Sequence, residues 1–391
     1  MTSPGTTEQA ISFVRPEALR GLFMLDDDVV FLNHGSYGAC PKPVWETYTA
    51  WQRQLERQPV EFFRRHESLL ASARTSLAAM LNVQPDDLSF TVNATAGINV
   101  VARSLPLAPD AEILSTSLEY GALDLMWEHL CQRFRARYVK TEIALPLTTP
   151  DAIVEAIWDR VTERTKAIFL SHIASSTAAI MPVAEICARA RRAGILTIVD
   201  GAHAPGQIPL DLTSLDVDIY AGNCHKWLCA PKGAAFLYVH PRQQHWVESL
   251  AIGWGWHPGH TFLSRNQQQG TRDISAALAV PRAIEFQREH DWRAVRNSCH
   301  ERLKTFRQRM HDRYGIEPLY PNTSEWFGQM ALIETPAPDP VRLARALLYY
   351  HDIEIPCMRH RGTTCVRLSV QGYVTDADLE AIDAALVSVC G

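Results

Sequence analysis

The sequence predicts an α/β fold, with a mostly parallel sheet flanked by helices and followed by a smaller α+β unit. Between residues 88 and 239, short apolar runs alternate with helical patterns, which is typical of a parallel sheet covered on both faces. Beyond Gly270 the pattern changes to a long helical stretch and then to shorter strands. A chain of 391 residues is long enough for two or three structural units.

The expected elements follow one another in order. A short strand at 29–32 leads into a glycine-rich loop at 35–38, a helix opens at Pro43, and apolar residues recur at helical spacing over 61–81. Strands of the large unit are expected at 88–92, 112–115, 137–139, 167–171, 196–199, 218–221 and 235–239. The C-terminal unit should hold two helices within 275–314, broken near 290–291, strands at 330–333, 353–355 and 365–368, and helices at 339–350 and 375–389. We therefore divide the chain into an N-terminal arm (1–37) that joins the small domain, a large domain (38–274) and a small C-terminal domain (275–391).

Composition excludes several classes of function. A net charge of −5 gives no electrostatic basis for binding nucleic acid. We find no stretch of about 20 apolar residues and no secretory signal within residues 1–20, so no membrane partner is expected and the predicted location is cytoplasmic. The nine cysteines lie far apart without paired CxxC motifs, which predicts reduced, mostly buried thiols and no metal site.

Asp200 and Lys226 are the most informative residues of the chain. Asp200 ends an apolar strand, and Lys226 follows a second short strand, 26 positions later. Enzymes that use pyridoxal 5'-phosphate need a lysine amine to form a Schiff base and a carboxylate to keep the pyridine nitrogen protonated. The ordinary alternatives are a solvated surface lysine and an aspartate that caps a helix. The spacing favours the cofactor site.

Seven segments carry a resemblance to a known family. In family order they are 31–38 (FLNHGSYG), 91–97 (TVNATAG), 171–175 (SHIAS), 200–203 (DGAH), 225–226 (HK), 270–273 (GTRD) and 366–369 (VRLS). With these motifs the chain resembles the fold-type-I, pyridoxal-phosphate-dependent class V aminotransferase and cysteine desulfurase superfamily and, within it, the isopenicillin N epimerase-like branch. The resemblance implies a small-molecule substrate of amino-acid type.

The resemblance assigns residues around the cofactor ring. It implies that Lys226 forms the Schiff base and moves the α-proton, that Asp200 pairs with the pyridine nitrogen, and that His203 bonds the 3-oxygen. Tyr120 would stack on the ring, where the alternative is an ordinary core aromatic. Ser175 stands beside the ring oxygen, where cysteine desulfurases usually carry Asn.

A second group is implied at the phosphate. Ala94 and Thr95 lie where a strand turns into a helix whose free N–H groups suit an anion, with help from Asn223 and His225. Most relatives have Ser-Gly-His-Lys where this chain has Asn-Cys-His-Lys at 223–226. Thr271 matches a loop that reaches the neighbour's phosphate, which implies a homodimer with shared active sites.

Arg367 is the expected contact of the substrate α-carboxylate, because a planar guanidinium binds a carboxylate with two prongs. His34, Tyr37, Trp254 and Trp256 are expected to line the substrate mouth, and plain packing is the alternative for all four.

These parts predict chemistry at the α-carbon, and several outcomes stay open. Epimerisation is the first hypothesis, followed by elimination from a cysteine thioether (a C–S lyase), transamination and cysteine desulfurization. A non-enzymatic cofactor-binding protein comes last. A common subgroup of desulfurases has a nucleophilic cysteine 15 residues before the carboxylate arginine, where this chain has Asp352, while Cys357 and Cys365 lie nearer to Arg367.

Overall fold

The computed structural model describes residues 16–390 of the chain. Its strands are β1 (Val30–Phe31), β2 (Leu88–Thr91), β3 (Glu112–Thr116), β4 (Arg137–Thr141), β5 (Thr165–Ser171), β6 (Leu196–Asp200), β7 (Ile219–Asn223), β8 (Ala235–Val239), β9 (Met330–Thr335), β10 (Ile353–Glu354), β11 (Cys357–His360) and β12 (Thr363–Ser369).

Its α-helices are α1 (Pro16–Arg20), α2 (His34–Tyr37), α3 (Lys42–Arg57), α4 (Pro59–Arg64), α5 (His66–Leu81), α6 (Ala94–Ser104), α7 (Gly121–Phe134), α8 (Pro150–Trp158), α9 (Val183–Ala193), α10 (Leu212–Leu215), α11 (Phe262–Gln267), α12 (Ser275–Leu278), α13 (Val280–Glu289), α14 (Trp292–Tyr314), α15 (Pro340–His351) and α16 (Asp376–Cys390). Short 3-10 helices cover Pro85–Asp87, Pro241–Gln243 and Trp254–Trp256.

Seven strands form the large sheet, in the order β2-β8-β7-β6-β5-β3-β4. Strands β3 to β7 pair in parallel, while β8 runs antiparallel to both of its neighbours. All residues of β6, β7 and β8 are buried, as expected for central strands covered on both faces. The predicted mostly parallel α/β sheet is confirmed.

The sheet brings the ends of distant segments to one edge. Strand β6 ends at Asp200, β7 at Asn223 and β5 at Ser171. Strand β2 leads into α6 at the same edge, where the side chain of Asn93 accepts a hydrogen bond from the Ala96 N–H and caps the helix. Ligands of open α/β sheets bind beyond such carboxyl ends of strands.

The smaller unit contains a three-stranded antiparallel sheet in the order β11-β12-β9. Residues 16–37 of the arm contact this unit: β1 pairs in parallel with β10, and Arg20 forms an ion pair with Asp378. The part of the predicted arm before Pro16 lies outside the described residues. The domain boundaries at 37/38 and 274/275 stay predictions.

Two local expectations were wrong, and one strand was not predicted. The segment at 35–38 lies mostly within the helical turn α2 and is not a simple loop. The stretch 275–314 contains three helices, because a break at Ala279 adds to the expected break near 290–291. Strand β11 was missed because its Cys-Met-Arg-His sequence lacks apolar alternation. It is an edge strand of its sheet and pairs only with β12.

One hydrophobic core cluster extends through both units and contains six buried free cysteines, and a second cluster in the large unit contains a seventh, Cys131. Within residues 16–390, no helix combines the length and the apolar character needed to cross a membrane. The same part of the chain contains no cluster of three His, Cys, Asp or Glu side chains arranged to hold a metal ion.

Candidate active site

A cavity of about 590 Å³ lies beyond the carboxyl ends of the large sheet and is closed on one side by the small domain. Lys226, Asp200 and His203 line it from the large sheet, and Arg367 lines it from β12. The same cavity is lined by Tyr37, Thr95, Tyr120, Ser175, Asn223 and His225. Ten of the residues singled out from the sequence therefore meet at one place.

Lys226 follows β7 by three residues and places its amine inside the cavity. Burial lowers the pKa of Lys226 to about 8, with Asp200 opposing this shift and Arg367 adding to it. A neutral amine is therefore available close to physiological pH, as nucleophilic attack on a carbonyl requires. The backbone just before Lys226 packs closely against Gly38, where a Cβ atom would overlap the backbone oxygen of His225.

Asp200 is almost fully buried at the end of β6. Its Oδ1 accepts a hydrogen bond of 2.9 Å from the Ala202 N–H. Burial raises the pKa of Asp200, against the lowering effects of the Ala202 N–H and of Lys226. A buried carboxylate of this kind gains from a cationic partner, and a protonated ring nitrogen would provide one.

His203 stands between the lysine and the protein core. Its Nε2 lies 3.2 Å from Nζ of Lys226, and its Nδ1 accepts from the Trp227 indole N–H at 3.3 Å. Burial, followed by the charges of Lys226, Arg367 and His34, holds the pKa of His203 well below its usual value.

The N-terminus of α6 lies at the cavity, where the sequence predicts an anion site. Thr95, Asn223 and His225 line the cavity. Ala94 does not: it is buried, and its N–H donates a hydrogen bond of 2.8 Å to Oδ1 of Asn223. The Ala94 N–H is therefore paired with Asn223 here, and the expectation that Ala94 helps to hold the phosphate stays a prediction.

Arg367 brings a buried cation to the site. Its Nη1 donates to the backbone oxygen of Ser175 at 2.8 Å and to Oγ of Ser175 at 3.2 Å, and its Nη2 donates to Oγ of Ser36 at 3.0 Å. Burial lowers the pKa of Arg367 to about 10. In the described chain, its Nε has no hydrogen-bond partner. An anionic ligand such as a carboxylate suits such a guanidinium.

Several expected contacts lie elsewhere. His34 does not line the cavity, because α2 turns its ring into the core, where Nδ1 lies 3.0 Å from the Tyr373 hydroxyl and Nε2 lies 3.0 Å from the Lys226 oxygen. Trp254 is 89% exposed and lies outside the cavity lining. The indole N–H of Trp256 instead donates to Oγ of Ser249 at 3.0 Å.

Thr271 also lies outside the cavity lining and is exposed in the single chain. Its expected contact with the neighbour's phosphate stays a prediction.

Glu119 is a buried carboxylate that sequence reasoning missed. Its Oε2 accepts hydrogen bonds of 2.7 Å from both the N–H and the hydroxyl of Ser171, and Thr116 donates to its Oε1. Burial raises the pKa of Glu119 to about 7, and Asp200 contributes to the rise. The available signal was a carboxylate directly before Tyr120, three residues after the end of strand β3.

Ser36 and Trp227 were missed as well. Each is adjacent in sequence to a residue that was selected, but their roles depend on contacts with Arg367 and His203 that arise only in the folded chain.

The donor set fits pyridoxal phosphate. A buried amine, a buried carboxylate and a helix N-terminus share one cavity, and these match an aldehyde, a pyridine nitrogen and a phosphate respectively. The family model described as Aminotransferase class-V matches residues 42–382. The chain belongs to the class V aminotransferase family. It is therefore a fold-type-I enzyme that uses pyridoxal phosphate, as the sequence predicted.

Relatives of this chain carry several names. An isopenicillin N epimerase of Streptomyces clavuligerus is 34% identical, over 96% of this chain and 98% of the relative. A hercynylcysteine sulfoxide lyase of Schizosaccharomyces pombe is 23% identical, over 94% and 96%. A solved complex of the cystine C–S lyase C-DES with cysteine persulfide superimposes with a TM-score of 0.82 at 21% identity, covering 95% of this chain and all of the other.

Proposed function

We propose that the chain is an epimerase-like enzyme acting at the α-carbon of an amino acid or of an amino-acid-derived substrate. One observation carries the proposal: the amine of Lys226 and the guanidinium of Arg367, whose Nε has no partner in residues 16–390, line the same cavity. The first can exchange the α-proton while the second holds the α-carboxylate. The likeness to an isopenicillin N epimerase over nearly the whole chain supports this choice.

Each charged or polar residue of the cavity has a proposed role toward the cofactor or the substrate. Pyridoxal phosphate, when bound, supplies an electron sink for the α-carbon. Asp200 would keep a proton on the ring nitrogen, and Thr95, Asn223 and His225 would hold the phosphate. Arg367 would orient the substrate so that its α-hydrogen faces Lys226, and Lys226 would take that proton. Inversion then requires that a proton be delivered to the opposite face of the α-carbon, since return of the proton by Lys226 to the same face would restore the original configuration.

The rim of the cavity favours a bulky substrate. Tyr37 is 72% exposed, and Val92 and Tyr120 are about half exposed, although all three contribute to the cavity lining. Exposed apolar side chains of this size can cover an extended side chain of a ligand. We therefore propose a modified or peptide-linked amino acid as the substrate class.

Incubation of the enzyme with candidate substrates in heavy water tests the reaction. We expect deuterium at the α-carbon and a product of inverted configuration, both lost in Lys226→Ala. Release of pyruvate and a thiol would contradict epimerisation and establish the lyase. Exchange that continues unchanged in Lys226→Ala would contradict the assigned base.

A C–S lyase is the second candidate, because a sulfoxide lyase aligns with nearly the whole chain. The same Lys226 proton transfer would begin β-elimination, and the leaving sulfur group of the substrate would decide the outcome. Cysteine desulfurization is less well supported. No cysteine lines the cavity in the part of the chain that the structure describes, and burial raises the pKa of Cys357 and Cys365 to about 12, which disfavours a thiolate.

We further propose a homodimer with shared sites. Thr271 is exposed, and the apolar side chains of Leu250, Ile252 and Trp254 are exposed on a preceding loop. An obligate partner would remove such a surface from water.

Mixed dimers of Lys226→Ala and Thr271→Ala test this arrangement. If Thr271 acts across the interface, one of the two sites in each mixed dimer regains both groups, and half of the sites recover tight cofactor binding. A monomer with full cofactor affinity, or mixed dimers without recovery, would contradict the shared site.

We also propose that the protein acts in the cytoplasm. Nine free cysteines, seven of them buried, are typical of a reducing compartment. Fractionation of the source cells tests this location, and recovery outside the cytoplasm would contradict it.

A further inference from the structure

The two ring nitrogens of His203 have different neighbours, and one of them dictates the protonation of the ring. Nδ1 lies 3.3 Å from the indole Nε1 of Trp227. An indole nitrogen can only donate a hydrogen bond, so Nδ1 must accept one. A doubly protonated imidazolium has no acceptor, and the Nδ1–H tautomer has none at that position.

We propose that Trp227 is a positioning residue that holds His203 as a neutral imidazole with its proton on Nε2, and thereby presents an N–H to the amine of Lys226. This inference deepens the proposed function, because Lys226 is the proton-transfer group there. Trp227 is fully buried and does not line the cavity, and its indole N–H contacts the cavity residues only at His203.

The next contact follows from the first. Nε2 of His203 lies 3.2 Å from Nζ of Lys226. With its proton on Nε2, His203 is the donor, and only an unprotonated amine has a lone pair to accept it. If Lys226 were an ammonium, its N–H groups and the Nε2–H of His203 would both be donors, and no hydrogen bond could form between them. The chain of contacts from Trp227 through His203 therefore favours the neutral amine.

The charges around His203 support a neutral ring. Burial is the largest effect against a charged His203 ring, and the positive charge of Arg367 adds to it, as does that of Lys226 whenever its amine is protonated. His34 is itself neutral near pH 7, because burial lowers its pKa to about 3. Asp200 raises the pKa of Lys226. Placing a further cation among these groups in a buried site is unfavourable.

Trp227 is well held for this task. Gln287 of α13 donates a hydrogen bond of 2.8 Å to the Trp227 backbone oxygen, and the His34 ring packs against the indole with centroids 4.9 Å apart. These contacts do not use the indole N–H. A phenylalanine at this position would keep the backbone contact with Gln287, and it would remove the donor to His203 together with part of the buried ring.

Nitrogen NMR of the full chain, histidine-labelled with 15N and freed of cofactor, tests the tautomer directly. The His203 signals are identified by their loss in His203→Gln. We expect the wild-type ring to be neutral with its proton on Nε2, and Trp227→Phe to give a mixture of tautomers. A wild-type ring that is cationic or protonated on Nδ1 would overturn the proposal, as would an unchanged tautomer in Trp227→Phe.

The second readout is the amine of Lys226. The pH midpoint for its reaction with pyridoxal phosphate should rise in Trp227→Phe, by on the order of one pH unit. An unchanged midpoint would show that the indole has no effect on the lysine.

Trp127→Phe is the matched control, since Trp127 is equally buried and its Nε1 has no partner in the described residues. We expect its His203 tautomer and Lys226 midpoint to equal those of the wild type. Should Trp227→Phe fail to fold, benzothienylalanine at position 227 keeps the shape of the indole and removes the N–H. Neither readout needs turnover, so a failed epimerase assignment would leave this result intact.

Discussion

Arg367 of β12 donates a hydrogen bond of 2.8 Å to the backbone oxygen of Ser175, which follows β5 of the large sheet. This contact joins the small domain to the large one at the wall of the cavity. Ser36, next to the arm strand β1, accepts from the same guanidinium at 3.0 Å. Arg367 is thus held at the cavity wall by hydrogen bonds to two other parts of the chain.

The first prediction concerns Arg367. Arg367→Ala should lower kcat/KM by an amount equivalent to about 2–4 kcal/mol, because the substrate carboxylate loses its charged partner. Arg367→Lys should recover part of this loss, since it keeps the charge without the two-pronged geometry. Arg359→Ala is the control: Arg359 is exposed and donates to the backbone oxygens of Pro338 and Gly362. Equal kcat/KM in Arg367→Ala and the wild type would mean that the carboxylate binds elsewhere.

A second prediction tests Asp200. Asp200→Asn keeps the size of the side chain and an acceptor for the Ala202 N–H, but removes the negative charge. We expect kcat to fall on the order of 10²-fold or more, the scale of preorganised electrostatic groups in active sites. Asp339→Asn, which alters the N-cap of α15, should leave kcat near the wild-type value. Normal turnover in Asp200→Asn would show that another acid serves the ring nitrogen.

The lowered pKa of Lys226 predicts a pH dependence. Because the neutral amine reacts, attachment of pyridoxal phosphate to the cofactor-free chain should rise with pH and reach half its maximum near a pKa of about 8. Borohydride reduction followed by peptide mapping measures this at Lys226, with the peptide of the exposed Lys166 as reference. A midpoint two or more units higher would contradict burial as the dominant effect.

Glu119 predicts a change of stability with pH. Its folded-state pKa of about 7 exceeds the ordinary value of 4.5, so between these values the folded protein binds a proton that the unfolded chain releases. The free energy of unfolding of the wild type should therefore fall, relative to Glu119→Gln, as pH rises from about 4.5 to about 7.

Glu112 supplies a control of opposite sign. The Thr162 hydroxyl and Arg164 lower the pKa of Glu112, so wild type should gain stability relative to Glu112→Gln as pH rises through the acid range. Urea titrations at several pH values measure both differences. Parallel curves for wild type and Glu119→Gln would show that Glu119 does not hold a proton in the folded state.

The thiols give a fifth prediction. Cys357→Ser and Cys365→Ser should each leave α-proton exchange unchanged, because neither sulfur lines the cavity. Exchange rates in heavy water, normalised to the folded fraction, measure this. Loss of sulfur transfer with retained exchange in either variant would bring cysteine desulfurization back as the leading function.

Asp200, Lys226 and the parallel sheet could be predicted because their signals are local. Apolar runs buried on both faces mark parallel strands, and polar residues directly after such runs must gather at one edge of the sheet. The single antiparallel strand β8 could not be recognised in this way. Its sequence, AFLYV, is apolar throughout, and such a run does not indicate whether the strand pairs in parallel or antiparallel with its neighbours.

Side-chain direction was decided only by the tertiary structure. His34 and Ser36 lie in one predicted segment, yet the helical turn α2 sends His34 into the core and Ser36 toward Arg367. Glu119 and Trp227 likewise gained their roles from partners 52 and 24 residues away in the chain. The sequence thus determined which strand ends carry the chemistry, because that depends on local pattern. The tertiary structure decided which neighbours set their protonation, because hydrogen bonds and burial depend on contacts between distant segments.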